Sequence, residues 1–244
     1  MRTRETTIEE VGPGIYFVTG PASNWTILAG GDDVTLIDAG YPADLDGVLG
    51  SIASVAPRRP LRNVLVTHGH SDHIGTIPAL VERRHVTVWA AAEEIPNVTR
   101  EELHQIGVKD LLPKLILPRY LVWMVHAVRS GGLAPIEIRS VSPLVPDAEV
   151  TFSGIPLVPR LTAGHTPGHL VFEMPEHGVM VTGDALISGH ATSLVSGPQE
   201  LPAMWHWDAE AAHARAQTFR ATTNILLPGH GPAVYPRDSA GRHA

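Results

Sequence analysis

Four apolar runs in this chain each break off into residues that can bind a metal, and that repeated shape constrains the fold more than any other feature. NVLVTHGHSDH leads to His68, His70, Asp72 and His73; LVPRLTAGHTPGH leads to His165; VMVTGDA leads to Asp184; NILLPGHG leads to His230. Short runs rich in Val, Ile and Leu and closed by Gly or Pro have the pattern of buried β-strands. Strands whose polar end loops share one sheet edge bring side chains far apart in sequence to a common point. The expectation is therefore a polar cluster assembled at a sheet edge.

The densest of the four, THGHSDHIGT (67–76), holds three histidines and an aspartate in six positions. With 14 histidines in 244 residues, composition alone gives an HxHxDH pattern with odds of about two in a thousand. Any one of these histidines reads as a surface residue of a polar loop, but the constellation does not. His68 and His70 stand two apart on an extended segment, so they project to the same side and can grip one ion. Asp72 and His73 follow where the chain turns into a helix, and adjacent residues there diverge, which suits a second ion. Ser71 and Asp72 also have the chemistry of helix caps for IGTIPALV, so Asp72 reads as either cap or ligand. Gly69 lets the backbone approach closely. The chain has no cysteine, which removes disulfides and thiolates and leaves His nitrogens and carboxylate oxygens as ligands.

Around these runs the pattern is α/β. GIYFVTG, NWTILAGG and VTLIDAG read as strands; residues 44–56 place Leu45, Val48, Leu49, Ile52 and Val55 at helical spacing before PRRP stops them. IGTIPALVERR reads as a helix and VTVWAA as a strand. From 93 to 143 the sequence turns helical and is broken by prolines, as an insertion would be. EVTFSG, IPLVPRLT, LVFEMP and GVMVTGD resume the strands, and a helix at DAEAAHARAQTFRA precedes NILLPGHG. No linker divides the chain, so one domain over 1–244 is expected, with a frayed end at PRDSAGRHA.

The start, MRTRETTIEEVGPG, has no apolar core of a secretory signal, so a cytoplasmic protein is expected. The most apolar stretch, 111–128, is interrupted by Pro113, Lys114, Pro118 and Arg119, which argues against a membrane span. A formal charge of −7 with no Lys/Arg cluster argues against nucleic acid as a partner.

THGHSDH, AGHTPGH, TGDA and LPGHG, in this order and at these separations, together with LIDAG, resemble the metallo-β-lactamase superfamily over about residues 12 to 232. The resemblance implies an αββα four-layer sandwich with its metal site at one edge between two sheets. It also implies that His68, His70 and His165 hold one metal, that Asp72, His73 and His230 hold a second, and that Asp184 bridges them. Such donors suit two Zn²⁺ ions, and iron and manganese accept the same set. Asp38 in LIDAG resembles an aspartate that orients ligand histidines; its plain reading is a strand-end turn residue. Within GHTPGH either His165 or His169 has the chemistry of a ligand, but the family pattern puts the ligand first and gives His169 a supporting role. The other histidines, including His104, His126, His177, His206 and His213, read as solvated or packed.

The activity implied is hydrolysis of an ester, thioester, lactone or similar activated carbonyl in a small-molecule substrate, by a hydroxide bridging two metals, with Asp72 as the catalytic proton carrier. The absence of cysteine excludes the cysteine-ligand β-lactamases. Hydroxyacylglutathione hydrolases carry a C-terminal helical domain, whereas 14 residues follow His230, so lactonases and thioesterases are nearer in outline. The alternative is a mononuclear iron oxidoreductase of persulfide-dioxygenase type on the same scaffold. For the substrate, Leu111, Leu112, Leu115, Leu121, Val122, Val125 and Val128 fall near one helical face, with Tyr120, Trp123 and Met124 beside them. That face suits an apolar lid over the metals, with His190 reaching the same cleft. It equally suits packing on the sandwich or on a second copy in a homodimer.

Overall fold

Central strands whose residues are apolar on both faces need cover on both sides, and the computed structural model, which describes residues 6–236, provides it. Strands β1 (Thr7–Gly12), β2 (Ile15–Thr19), β3 (Asn24–Leu28) and β4 (Val34–Ile37) form an antiparallel meander. Strands β5 (Leu61–Leu65), β6 (Thr87–Ala91) and β7 (Ser142–Leu144) extend it in parallel, giving a seven-stranded sheet in chain order. The second sheet has the order β12-β11-β10-β9-β8, from β8 (Val150–Phe152), β9 (Ile155–Leu161), β10 (Leu170–Met174), β11 (Val179–Gly183) and β12 (Ile225–Pro228). Only the β11–β12 pair in it is parallel.

Successive side chains of a strand point to opposite faces, and here both sets are used. Ile27, Leu36 and Val64 pack with Val48 and Ile52 of α1 (Leu45–Val55) and with Ile77 and Leu80 of α3 (Ile77–Arg84). Their neighbours Leu28, Ile37 and Leu65 turn the other way and meet Leu157, Phe172, Val181 and Leu227 between the sheets. On the far side of the second sheet, Val171, Met180 and Leu226 pack with Ala216 and Phe219 of α7 (Ala209–Arg220). The layers run helix, sheet, sheet, helix, which is the αββα sandwich expected. Each of these larger side chains gains about 1.5–3 kcal/mol from burial. Register is correspondingly firm, because a slip of one residue would turn every strand inside out.

The two sheets are stitched together between the starts of β3 and β10 and the ends of β12 and β5. Leu170 N–H donates to Thr67 O at 2.8 Å and Asn24 N–H to Gly229 O at 2.8 Å. The Asn24 side-chain amide donates to Pro228 O and Gly231 O at 2.8 and 2.7 Å. Ala39 N–H donates to His73 O at 2.7 Å, fixing the turn after β4 against the short helix α2 (Ser71–Ile74).

Several expectations need correction. The helix expected at IGTIPALVERR is α3, which begins at Ile77 rather than Ile74; Ile74 instead closes the separate short helix α2, and Pro78 in the first turn of α3 has no N–H to join the two. His70 is the N-cap of α2, and neither Ser71 nor Asp72 caps it. Strand β1 was not among the expected strands; its outward residues Ile8 to Glu10 are exposed and give no apolar run. The segment 93–143 carries α4 (Ile95–Thr99), α5 (Val108–Leu111) and α6 (Pro118–Arg129), but its end belongs to β7. The stretch 111–128 is not one helix: α5 passes into a 3-10 turn at Leu112–Lys114, and α6 starts afresh with Pro118 at its first position. As a result Leu121, Val122 and Val125 are 41–47 % exposed rather than turned inward. No helix among the described residues is long and apolar enough to cross a membrane. The expected frayed end lies, from residue 237 on, outside the described residues.

Candidate metal centre

The polar cluster forms where β5, β11 and β12 and the loop between β9 and β10 end. Ligand atoms of His68, His70, His165 and Asp184 all lie within 4.8 Å of one another, and so do those of Asp72, His73 and His230. All seven residues that the sequence singled out are therefore brought together. The Asp184 carboxylate stands between the two groups. Its Oδ1 is 3.5 Å from His73 Nε2, and its Oδ2 is 3.3 Å from His230 Nε2 and 3.5 Å from His165 Nε2. Gly229 makes that approach feasible, since a side chain there would strike Asp184 Oδ1 and meet His73 Cε1 at 2.8 Å.

Each of the five histidines has one ring nitrogen fixed from outside the cluster. His73 Nδ1–H donates to Asp38 Oδ2 at 2.8 Å. His68 Nδ1–H donates at 3.0 Å to Thr67 Oγ1, whose own proton goes to Asp38 Oδ2 at 2.7 Å. His70 Nε2–H donates to His104 O at 2.7 Å, and His230 Nδ1–H to Ala22 O at 2.8 Å. His165 is held through a second imidazole. His206 Nε2–H donates to Leu201 O at 3.0 Å, so its Nδ1 accepts from His165 Nδ1–H at 3.1 Å. With the outer nitrogen committed as donor, the neutral imidazole turns a lone pair inward. Two of those inward atoms, His68 Nε2 and His73 Nε2, are buried without any hydrogen-bond partner, as is Asp184 Oδ1. Buried polar atoms left unpaired at one point are costly, and cations bound at the two groups would satisfy all three. The residues present therefore fit a metal.

Asp38 is more than a turn residue. It takes φ 59°, a left-handed conformation tolerated by Asp, and accepts from Thr67 N–H at 2.8 Å besides the two contacts above. His169 stays out of both groups. Its Nδ1 bonds to Thr162 Oγ1 at 2.9 Å, and its Nε2 accepts from Asp184 N–H at 3.2 Å.

The electrostatics divide the histidines. Burial, helped by the neighbouring imidazoles, holds His68 and His165 well below the usual range, and burial takes His70 to about 4. Burial also opposes charge on His73, but Asp72, Asp184 and Asp38 outweigh it and raise the group to about 9. His230 is likewise raised well above its usual value, against burial, by Asp184 and Asp72. Those two carboxylates are in turn held low, against burial, chiefly by His73 and His230.

Four supports were not read from the sequence. Glu94, fully buried just beyond β6, accepts from Gly69 N–H and Asn97 Nδ2–H at 2.8 and 2.7 Å, and from Thr166 Oγ1–H and Gly168 N–H at 2.7 and 2.9 Å. One carboxylate thus ties the loop of His68 and His70 to the loop of His165. Gly69 is needed there, because a Cβ would meet Asn97 Nδ2 at 2.8 Å. Arg100 donates to Gly69 O at 2.6 Å, and Gln105 Oε1 accepts from Ser71 N–H at 3.1 Å. His206 is the fourth support, and its reading as merely packed is corrected by its bond to His165. A carboxylate at the end of an apolar strand was a usable signal for Glu94; His206 had none.

A pocket open to solvent lies over the cluster. Trp123, Met124 and His190 line it as expected; Tyr120 does not, being buried at the root of α6.

The model of the metallo-beta-lactamase superfamily matches residues 18–231. A probable metallo-hydrolase of Bacillus subtilis, YflN, is 30 % identical over 230 residues, covering 89 % of this chain and 80 % of its own. The chain also resembles the solved structure of TTHA1623 in a di-iron-bound form, with 24 % identity, a TM-score of 0.59 and 89 % and 92 % coverage. A B3 metallo-beta-lactamase with an active-site glutamic acid aligns at 17 % identity and a TM-score of 0.63, over 96 % of this chain and 84 % of that one. At these identities the two structures speak for the fold alone.

Proposed function

The chain belongs to the metallo-β-lactamase superfamily, and on that premise we propose that it hydrolyses an ester, thioester, lactone or similar activated carbonyl with two divalent ions as its cofactor. His68, His70 and His165 would hold one ion and Asp72, His73 and His230 the other, with Asp184 between them. Zinc is the first choice for such a nitrogen and oxygen set, with iron or manganese as alternatives. The observation that carries this reading is the outward anchoring of all five histidines around a carboxylate with a free buried oxygen.

Cations held there supply Lewis acidity, which lowers the pKa of a water to about 7 and polarises a carbonyl. The protein's own residues do the rest. In this reading Asp72, ionised and the most open of the ligand carboxylates at 16 % side-chain exposure, accepts a proton from the attacking water and passes it to the leaving group. Asp38 and Glu94 keep the imidazoles in the orientation that leaves their inner nitrogens free. The apolar pocket wall binds a lipophilic part of the substrate and excludes bulk water.

Metal analysis of the purified protein, followed by a screen of lactones, thioesters, aryl esters and β-lactams, tests this. About two metal ions per chain and turnover that falls at least about a hundredfold in Asp72→Ala are expected. A fully loaded protein that hydrolyses nothing, or an Asp72→Ala variant with both metals and full activity, would overturn it. One iron per chain with oxygen consumption would instead favour the oxidoreductase, a reading that leaves the set Asp72, His73 and His230 without a purpose.

A further inference from the structure

We propose that the acyl part of the substrate is uncharged as well as apolar, so that compounds carrying a carboxylate in that part are discriminated against. This rests on the hydrolase reading above and adds the charge of the substrate to it.

Away from the metal-binding side chains, the pocket walls are mostly apolar and include Val108 and Leu111 of α5, Trp123 and Met124 of α6, and Leu201 and Trp205 from the loop before α7. The two indoles meet edge to face with centroids 5.0 Å apart, forming a rigid apolar corner. Among the described residues no lysine or arginine lines the pocket. Two arginines of the same segment are committed elsewhere: Arg100 donates to Gly69 O at 2.6 Å and to Ser71 Oγ at 3.3 Å, and Arg119 Nε–H donates to Thr192 O at 2.9 Å. The wall does contain neutral polar groups, among them Tyr41, Gln105 and His190. His190 Nδ1 accepts from Thr192 Oγ1–H at 2.7 Å and from Thr192 N–H at 3.3 Å, which puts its proton on Nε2. Such neutral groups can serve a carbonyl or an amide oxygen, but they cannot neutralise a carboxylate. Bringing an unpaired carboxylate against such walls costs several kcal/mol in lost hydration. The formal charge of −7 acts in the same sense at long range.

The test is a matched pair of substrates for the metal-loaded protein: nitrophenyl hexanoate and the mono-nitrophenyl ester of adipic acid, which differ in the carboxylate at the chain end. Both are assayed at about 0.15 M ionic strength, where charges more than about 8 Å away are largely screened and a charge at the rim still acts. The adipate ester is expected to show kcat/KM at least about tenfold lower. Leu133→Lys, which puts a cation on the 65 % exposed rim of the pocket, is expected to narrow the ratio at least about threefold. Rates within about twofold of each other, or a Leu133→Lys ratio that does not move, would overturn the proposal while leaving the hydrolase reading intact. If neither ester is turned over, the hydrolase reading is decided by the wider screen of lactones, thioesters, aryl esters and β-lactams. The pocket's preference is then decided by binding: hexanamide should quench tryptophan fluorescence at least about tenfold more tightly than adipic acid monoamide, and equal quenching would sink it.

Discussion

Replacing Glu94 by glutamine should loosen the centre without removing any of its ligands. The carboxylate is fully buried and accepts four hydrogen bonds, two on each oxygen. A glutamine has one acceptor oxygen, which can keep Gly69 N–H and Asn97 Nδ2–H. Its NH₂ group then faces Thr166 Oγ1, which can rotate to accept, and Gly168 N–H, which cannot. One buried N–H is left unpaired at about 1–3 kcal/mol, and the two retained bonds lose the benefit of a charged acceptor. Against this, the variant is spared the burial that raises the Glu94 carboxyl. The net expectation is a loss of about 2–3 kcal/mol, or roughly 4–12 °C in Tm for a domain of this size. Because Gly69 lies between His68 and His70, and Thr166 follows His165, zinc affinity measured by calorimetry on folded protein should also fall, by about 10–100-fold. Glu94→Asp, too short to span both loops, should lose a similar amount. If Glu94→Gln keeps its Tm within about one degree and its zinc affinity within about twofold, the two-loop tether is the wrong account of this residue.

The remaining expectations concern the metal ligands and the pocket. Asp38→Asn turns an NH₂ toward His73 Nδ1 and drives the imidazole proton to the inner nitrogen, so bound metal should drop from about two ions to about one per chain; two ions retained at unchanged affinity would refute it. In the metal-free protein His73 is raised to about 9 from an ordinary 6.5, so the stability it contributes is complete below pH 6.5 and is lost as pH rises through 9. Tm measured in chelator should therefore decline across that window, whereas metal affinity should rise over it; a flat Tm would contradict the assignment. Trp123→Ala should raise KM for long-chain acyl substrates at least about fivefold and spare short-chain ones, and an equal effect on both would remove Trp123 from the acyl pocket.

The fold was legible because burial on both faces leaves a strong trace. LVTHGH, VMVTGD and NILLPGH are continuous apolar runs because Leu65, Val181 and Leu227 face the other sheet while Val64, Met180 and Leu226 face helices. Strand β1 escaped notice for the opposite reason, having little apolar surface to bury. The stretch 111–128 misled because its apolar residues exceed what one face can hold. Proline at 113 and 118 splits it, α6 restarts with its own phase, and Leu121, Val122 and Val125 end up in solvent. Periodicity counted across a proline joins turns that the backbone does not join.

At the site, the ligands and their supports differ in how far they can be read. A ligand histidine must reach an ion directly, so it sits at a strand end and its position is marked by the strand before it. A support has only to present an acceptor to the outer nitrogen of that histidine, and any carbonyl in the right place will serve. His104 O and Ala22 O do so for His70 and His230, and such contacts leave no mark on the identity of the residues that make them. Asp38 was visible because one carboxylate serves two histidines and also anchors Thr67 N–H, a load that no single carbonyl could carry. His206 is the intermediate case. It is a side chain, yet its task depends on Leu201 O fixing its own tautomer. His206→Ala removes an acceptor that backbone or water can replace, whereas His206→Lys puts an ammonium against His165 Nδ1–H. The lysine variant should therefore lose zinc at least about tenfold more than the alanine variant, and equal losses would mean that His206 acts by filling space rather than by accepting a proton.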